Sequence, residues 1–153
     1  MREQDLAVMR EIFVKAKKFS PHSDEERRQL VQRYMTQYSI RIRPFMALVH
    51  SHSGSVSLSK DEKGNKTGYL IDAYNPIGTE GLTILHWLVI GHELGHIELI
   101  ERAIKEDAYA DWVIIERWCD QFSIVLLGLQ HAHVDEHLIG PEAYEDDDDI
   151  MML

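Results

Sequence analysis

Two long apolar segments in the second half of the chain constrain its fold more than any other feature. The segments "ILHWLVIGHELGHIELI" and "WVIIERWCDQFSIVLL" are each long enough for several helical turns, but too short and too often broken by polar residues to span a membrane. Helices this apolar must be buried, so both are predicted to lie in the core. We predict a helix over about 83–103 with Thr83 as N-cap. A second helix is predicted from Ala108 to Leu127, and Gly128 follows it as a typical residue after a C-cap.

Polar residues interrupt the first of these helices at positions that suit a metal ion. His92 and His96 are four residues apart, so both imidazoles project from one face of the helix. Their ring nitrogens can meet one zinc ion at about 2.0–2.1 Å each. Glu93 is turned by roughly 100° from His92, where a carboxylate can act on a water molecule without binding the metal. This is the HExxH pattern, in which the glutamate is the general base.

The second apolar helix supplies further residues for such a site. Glu116 is the one acidic residue among apolar neighbours, and a buried carboxylate is costly unless it is paired or metal-bound, so Glu116 is the predicted third ligand. Asp120, four residues later on the same face, is predicted to accept the second N–H of a ligating histidine. The alternative is that all these residues are hydrogen-bonded core polar groups without a metal. One Zn²⁺ site explains them jointly, and we favour it.

Gly95 lies within the HExxH pattern and costs about 1 kcal/mol of helix stability relative to alanine. It therefore indicates that another side chain or backbone segment packs closely against the helix there. Cys119 is interpreted as a small buried apolar residue, and Trp87, Trp112 and Trp118 as core aromatic residues.

The first half of the chain predicts two helices and a small sheet. Apolar residues at helical spacing predict the first helix; they are Leu6, Met9, Ile12, Phe13 and Ala16. Ser23 and Glu26 form a capping-box pattern, so the second helix is predicted from Asp24 to Gln37. Alternating apolar residues and turn residues then predict three short antiparallel strands, near 39–49, 54–59 and 67–73. The predicted class is α+β, with N-terminal helices, a small mostly antiparallel three-stranded sheet and the two buried motif helices.

The charge of the chain is concentrated at its end. Of 153 residues with a formal net charge of −10, the segment 141–153 holds six acidic residues and no basic one. We predict a single domain over 1–140 and a disordered acidic tail over 141–153. An acidic chain lacks the basic face that nucleic acid requires, so direct nucleic-acid binding is not expected.

The N-terminus shows no secretion signal and the single cysteine cannot form an internal disulfide, so we expect a cytoplasmic protein that does not bind membranes.

The two motif helices resemble the ImmA/IrrE metallopeptidases. The similarity lies in "HWLVIGHELGHIEL" and "IERWCDQFSIVLLG", where the family has an HELGH-type helix and then a helix with glutamate, a small residue, Asn or Asp, a phenylalanine and a Leu-Leu pair. The separation of His96 and Glu116, 116 − 96 = 20 residues, also resembles thermolysin-type zinc peptidases. The resemblance implies a zinc-dependent endopeptidase that cleaves a helix-turn-helix repressor, with His92, His96 and Glu116 as zinc ligands and Glu93 as general base.

Several alternatives stay open at this point. The segment "HAHVDEH" holds His131, His133, Asp135 and His137, which form either a second metal cluster or a compositional tract. One of these histidines, Tyr109 or Tyr144 is a candidate to polarise the scissile carbonyl. The competing function is a catalytically silent zinc-binding protein that regulates a partner by binding, and a fourth protein ligand would favour it.

Overall fold

The structure of the protein is a computed structural model that describes residues 1–45, 54–74 and 84–129. The predicted N-cap Thr83, the 131–137 histidine cluster, Tyr144 and the acidic tail 141–153 lie outside the described residues.

Four helices and one three-stranded sheet confirm the predicted α+β class. The elements are α1 (Glu3–Lys17), α2 (Asp24–Tyr38), β1 (Ile40–Phe45), β2 (Gly54–Lys60), β3 (Lys66–Tyr74), α3 (Ile84–Glu101) and α4 (Tyr109–Leu126). In the parts of the chain that the structure covers, no helix combines the length and apolar character that crossing a membrane requires.

The helix boundaries follow the local signals in the sequence. Ser23 caps α2, because its Oγ accepts a hydrogen bond from the backbone N–H of Glu26 at 3.1 Å. Glu26 reaches back as a capping box predicts, although its Oε2 accepts from the N–H of His22 at 2.6 Å and not from Ser23. After α4, Gly128 has a φ of 64°, the left-handed conformation expected after the C-cap of that helix.

The sheet is mixed, which differs in part from the expected antiparallel arrangement. The strand order is β1-β3-β2, with β2 and β3 antiparallel as predicted. The prediction was wrong for β1, which pairs parallel to β3 with Ile40 opposite Tyr69. The reason is that β3 occupies the centre of the sheet. Its residues Tyr69, Ile71 and Ala73 are fully buried, so the most apolar strand inserts between the other two.

The core forms around α3, which contacts β2 and β3 of the sheet as well as α4. Twelve of the 18 residues of α3 are buried, as its apolar sequence predicts. The N-terminal helices complete the core, since α1 packs against α4 and α2 against β1. Trp118 of α4 is buried, and its Nε1 donates a hydrogen bond to the backbone carbonyl of Met9 in α1 at 3.2 Å.

Two glycines allow α3 and α4 to approach closely. A Cβ atom on Gly91 would overlap Ser123 Oγ and lie 2.9 Å from Ser123 Cα. A Cβ atom on Gly95 would lie 3.1 Å from the Phe122 ring and 3.2 Å from Cys119 Sγ. The close packing that Gly95 predicted is therefore present. Ser123 also links the helices directly, because its Oγ donates a hydrogen bond to the Leu88 carbonyl at 2.7 Å.

Replacing Gly91 by alanine tests this packing. Alanine normally stabilises a helix by about 1 kcal/mol relative to glycine. Here we expect Gly91→Ala to lower the free energy of unfolding by about 1–3 kcal/mol, because the new methyl group meets the backbone of α4. Chemical denaturation measures the change. An unchanged or raised free energy would contradict the helix separation seen here.

Candidate metal centre

The antiparallel pairing of α3 and α4 brings the predicted site residues together. Gly91 faces Ser123, Gly95 faces Cys119, and His96 contacts Glu116, so residue numbers fall along α4 as they rise along α3. Every four residues correspond to about one helical turn. The HExxH pattern of α3 and the acidic residues of α4 therefore lie side by side.

Three of the predicted residues converge through the atoms that would bind a metal. Glu116 Oε2 lies 2.9 Å from His92 Nε2, and Glu116 Oε1 lies 3.0 Å from His96 Nε2. The two Nε2 atoms are 3.2 Å apart. Tetrahedral zinc with bonds of about 2.0–2.1 Å holds its ligand atoms about 3.3–3.4 Å apart. The observed separations are close to these values, so the arrangement fits a single small cation.

Asp120 fixes the orientation of His92. Its Oδ1 lies 2.6 Å from His92 Nδ1, and because a carboxylate only accepts hydrogen bonds, His92 Nδ1–H is the donor. The ring then presents Nε2 to Glu116 and His96. This is the contact predicted for Asp120, and it is the usual support for a ligating histidine.

The electrostatics of this group favour a positive charge at its centre. Burial acts to lower the pKa of His92, but hydrogen bonds to Asp120 and Glu116 outweigh it and raise the pKa to about 10. Burial acts to raise the pKa of Glu116, and hydrogen bonds to His92 and His96 outweigh it and hold that pKa well below its usual range. The lone pairs of the two Nε2 atoms and of the Glu116 carboxylate point toward one another, and they repel unless a proton or a metal cation lies between them. A set of ligand atoms that needs a cation at its centre suits a metal site.

Glu93 lies beside the two histidines and Glu116, but its carboxyl group takes no part in their hydrogen bonds. Its side chain is buried, at 6% exposure, and within residues 1–45, 54–74 and 84–129 no hydrogen bond reaches its carboxyl group. Burial raises its pKa above the usual range. The first residue of β2 lies next to it, since a Cβ atom on Gly54 would be 3.3 Å from Glu93 Oε1 and would overlap Val89 Cγ1. A side chain at this position of the sheet would therefore have to displace the side chain of Val89.

Cys119, which was predicted only as a small buried residue, adds a ligand-type atom beside the two histidines. Its Sγ and one ring nitrogen each of His92 and His96 lie within 4.8 Å of one another, and the three residues form a group that could hold a metal ion. Cys119 is fully buried, as predicted. Burial, followed by the neighbouring carboxylates Glu116 and Asp120, raises the pKa of its thiol well above the ordinary value. The signal was present in its position, since Cys119 follows Glu116 by three residues on the face that also bears Asp120.

Two other predictions concern aromatic residues of α3 and α4. Trp87 and Trp118 are core residues as predicted, but Trp112 is 44% exposed, so its assignment to the core was wrong. It stacks on Tyr109 with a ring-centroid distance of 5.5 Å, and Tyr109 is 77% exposed. Both residues are exposed because they lie in the first turn of α4, near the end of the region where that helix packs on α3. No bond joins Tyr109 to the histidine and glutamate group among the described residues, so its proposed role at the scissile carbonyl stays a prediction.

Comparison of the chain with protein-family models, with curated proteins and with solved structures finds no match. The resemblance to ImmA/IrrE metallopeptidases therefore stays a prediction that rests on the two motif helices.

Metal content of variants tests the ligand set. We expect the purified chain to hold about one zinc ion, and His92→Ala or Glu116→Ala to lower both this content and the thermal stability, because binding stabilises only the folded chain. Cys119→Ala and the exposed control Glu106→Ala should keep the metal. Elemental analysis measures the content. Full retention in Glu116→Ala would remove Glu116 from the ligands, and loss in Cys119→Ala would add the thiol to them.

Substitution of Asp120 tests the hydrogen bond that orients His92. Asp120→Asn keeps the shape of the side chain but replaces a charged acceptor with a neutral one. We expect zinc affinity to fall by about 10–100-fold, the usual effect of losing such a supporting contact. Competition with a chelator of known affinity measures it. Wild-type affinity in Asp120→Asn would show that the carboxylate does not act on the metal site.

Proposed function

We propose that the protein is a zinc-dependent metalloendopeptidase that hydrolyses a peptide bond in a protein substrate. The observation that carries the proposal is Glu93. Its buried carboxyl group has no hydrogen-bond partner in the described ranges, which destabilises the folded protein. Groups of this kind are found mainly at functional sites. Glu93 lies beside two histidines and a glutamate whose ligand atoms converge. A purely structural metal site has no use for such a carboxyl group.

In this proposal His92, His96 and Glu116 hold the metal and leave one position open, the arrangement of catalytic zinc sites. When bound, zinc supplies a Lewis acid that polarises a carbonyl group and acidifies water. The ligand atoms supporting this are the Nε2 atoms of both histidines and the carboxylate of Glu116, which lie 2.9 to 3.2 Å apart. Asp120 holds His92 in the tautomer that presents Nε2.

Glu93 is the proposed general base. It takes a proton from the attacking water and later delivers it to the leaving amine, so that the peptide bond is cleaved with no net change in the carboxyl group. The raised pKa that burial gives Glu93 suits this exchange, because a base must also release its proton in the second step.

The proposed substrate position is the edge of the sheet. β2 is an edge strand in the order β1-β3-β2, and its first residue, Gly54, lies next to the carboxyl group of Glu93. An extended peptide can pair with the backbone of such a strand. The family resemblance favours a helix-turn-helix repressor as the natural substrate, and no binding to nucleic acid or membrane is proposed.

A second candidate function is a catalytically silent zinc-binding protein that regulates a partner by binding. The proximity of Cys119 to both histidines favours it, since a thiolate in the fourth position would close the site to water. Against it, the thiol pKa is raised by burial and by two neighbouring carboxylates, so the metal-binding thiolate form is disfavoured. We therefore place the catalytic proposal first.

Glu93→Gln separates chemistry from metal binding. The amide keeps the size of the side chain but cannot take a proton, so we expect unchanged zinc content and fold and a loss of proteolysis of about 10²-fold or more. Cleavage of a proteome-derived peptide library, followed by mass spectrometry, measures the activity. Glu106→Gln, at an exposed position, is the matched control and should cleave normally. Equal cleavage by both variants would refute the role of Glu93, and no cleavage by the zinc-loaded wild-type chain would favour the silent alternative.

A further inference from the structure

A cavity with both apolar and charged lining residues lies on the opposite side of α3 from the metal centre. It has a volume of about 220 Å³ and is enclosed by α1, α2 and the C-terminal end of α3. Glu98, which lines it, follows His96 by two residues and so points about 200° away from it around the helix axis. The walls are apolar; they are formed by Ile12, Ala16, Phe19 and Leu30.

The floor of the cavity carries a buried carboxyl group. Glu98 is 7% exposed, and its Oε1 accepts a hydrogen bond from the Tyr38 hydroxyl at 3.0 Å. Burial raises the pKa of the Tyr34 hydroxyl, and the charge of Glu98 raises it further. In the described ranges no lysine or arginine lies within ion-pair distance of Glu98. A carboxylate offers about four acceptor sites, so the Tyr38 hydroxyl leaves most of them unused.

The rim of the cavity carries the opposite charge. Lys15, Arg33 and Arg102 line the opening and are exposed. Among the residues the structure describes, none of the three forms an ion pair. Arg102 directly follows α3, and its backbone N–H donates to the Glu98 carbonyl at 3.3 Å, so the two residues lie about one turn apart. Burial raises the pKa of Tyr38 to about 12; the charge of Glu98 also acts to raise it, and that of Arg102 to lower it.

We propose that this cavity binds a small zwitterion, namely an α-amino acid with an apolar side chain. The ammonium group would bind the unused acceptors of Glu98, and the carboxylate would bind Arg102 and its cationic neighbours at the rim. The apolar side chain would contact the walls. A purely anionic ligand would leave Glu98 unpaired, and a purely cationic one would meet three like charges at the opening. The volume equals that of about seven water molecules at about 30 Å³ each, which suits a ligand of this size.

The site is independent of the proposed peptidase activity, and binding is measured directly. Isothermal titration calorimetry with L-leucine, L-methionine and L-phenylalanine should detect binding to the full chain. Leucinamide lacks the carboxylate and 4-methylpentanoate lacks the ammonium group, so both should bind about tenfold more weakly or worse than leucine. Absence of binding by all three amino acids at millimolar concentration would overturn the proposal, as would equal affinity for leucine and both analogues.

Two variants locate the binding in the cavity. Glu98→Gln and Arg102→Gln should each weaken leucine binding by about tenfold or more, since each removes one charged contact. Glu106→Gln and Lys105→Gln alter nearby exposed charges outside the cavity lining and should bind as the wild-type chain does. Unchanged affinity in both cavity variants would place the ligand elsewhere and overturn the assignment. If Glu98→Gln proves unstable, leucine binding by Arg102→Gln and the binding of the two analogues to the wild-type chain still test the proposal. Glu93→Gln should bind leucine normally whether or not the chain is a peptidase.

Discussion

The close packing of α3 on α4 is the constraint on which the rest of the structure depends. Gly91 and Gly95 remove the side chains that would hold the helices apart, and the Ser123 hydroxyl then reaches the backbone of Leu88. At this separation the side chains of one helix reach those of the other without an intervening layer. His92 therefore touches both Glu116 and Asp120, which belong to the neighbouring helix. A wider spacing would leave the same residues as unpaired, half-buried polar groups.

α3 carries charged groups on two sides, although it is the most buried helix of the fold. One side presents His92 and His96 to the carboxylate of Glu116 in α4, and the other presents Glu98 to the hydroxyl of Tyr38 in α2. Both sides obtain their partners from other elements, which is how an apolar helix tolerates polar residues. Glu93 is the exception, since no hydrogen bond compensates its burial in the described ranges. Uncompensated groups of this kind are typical of sites where reactivity is gained at the expense of stability.

The sequence predicted those features that depend on local spacing. The boundaries of α2 follow from the Ser23 cap, and the convergence of His92, His96 and Glu116 follows from helical periodicity in two adjacent helices. Features that depend on distant packing were not predictable. Whether β1 pairs with β2 or β3 is decided by which strand is central, and alternation of apolar residues does not specify that. The approach of Gly54 to Glu93 and the enclosure of Glu98 by α1 and α2 likewise join segments far apart in the chain.

Two of the three tryptophans are buried and one is partly exposed, so the intrinsic fluorescence of the chain can distinguish its interior from its surface. Trp87 donates to Asp24 and Trp118 to the backbone of Met9, so both indoles are shielded and sense how the N-terminal helices sit on the core. Trp112 is 44% exposed and lies one turn before Glu116 on α4. A water-soluble collisional quencher therefore reaches mainly this indole. Its fluorescence reports on the surroundings of the metal centre without any attached dye, while the emission of the other two follows the integrity of the fold.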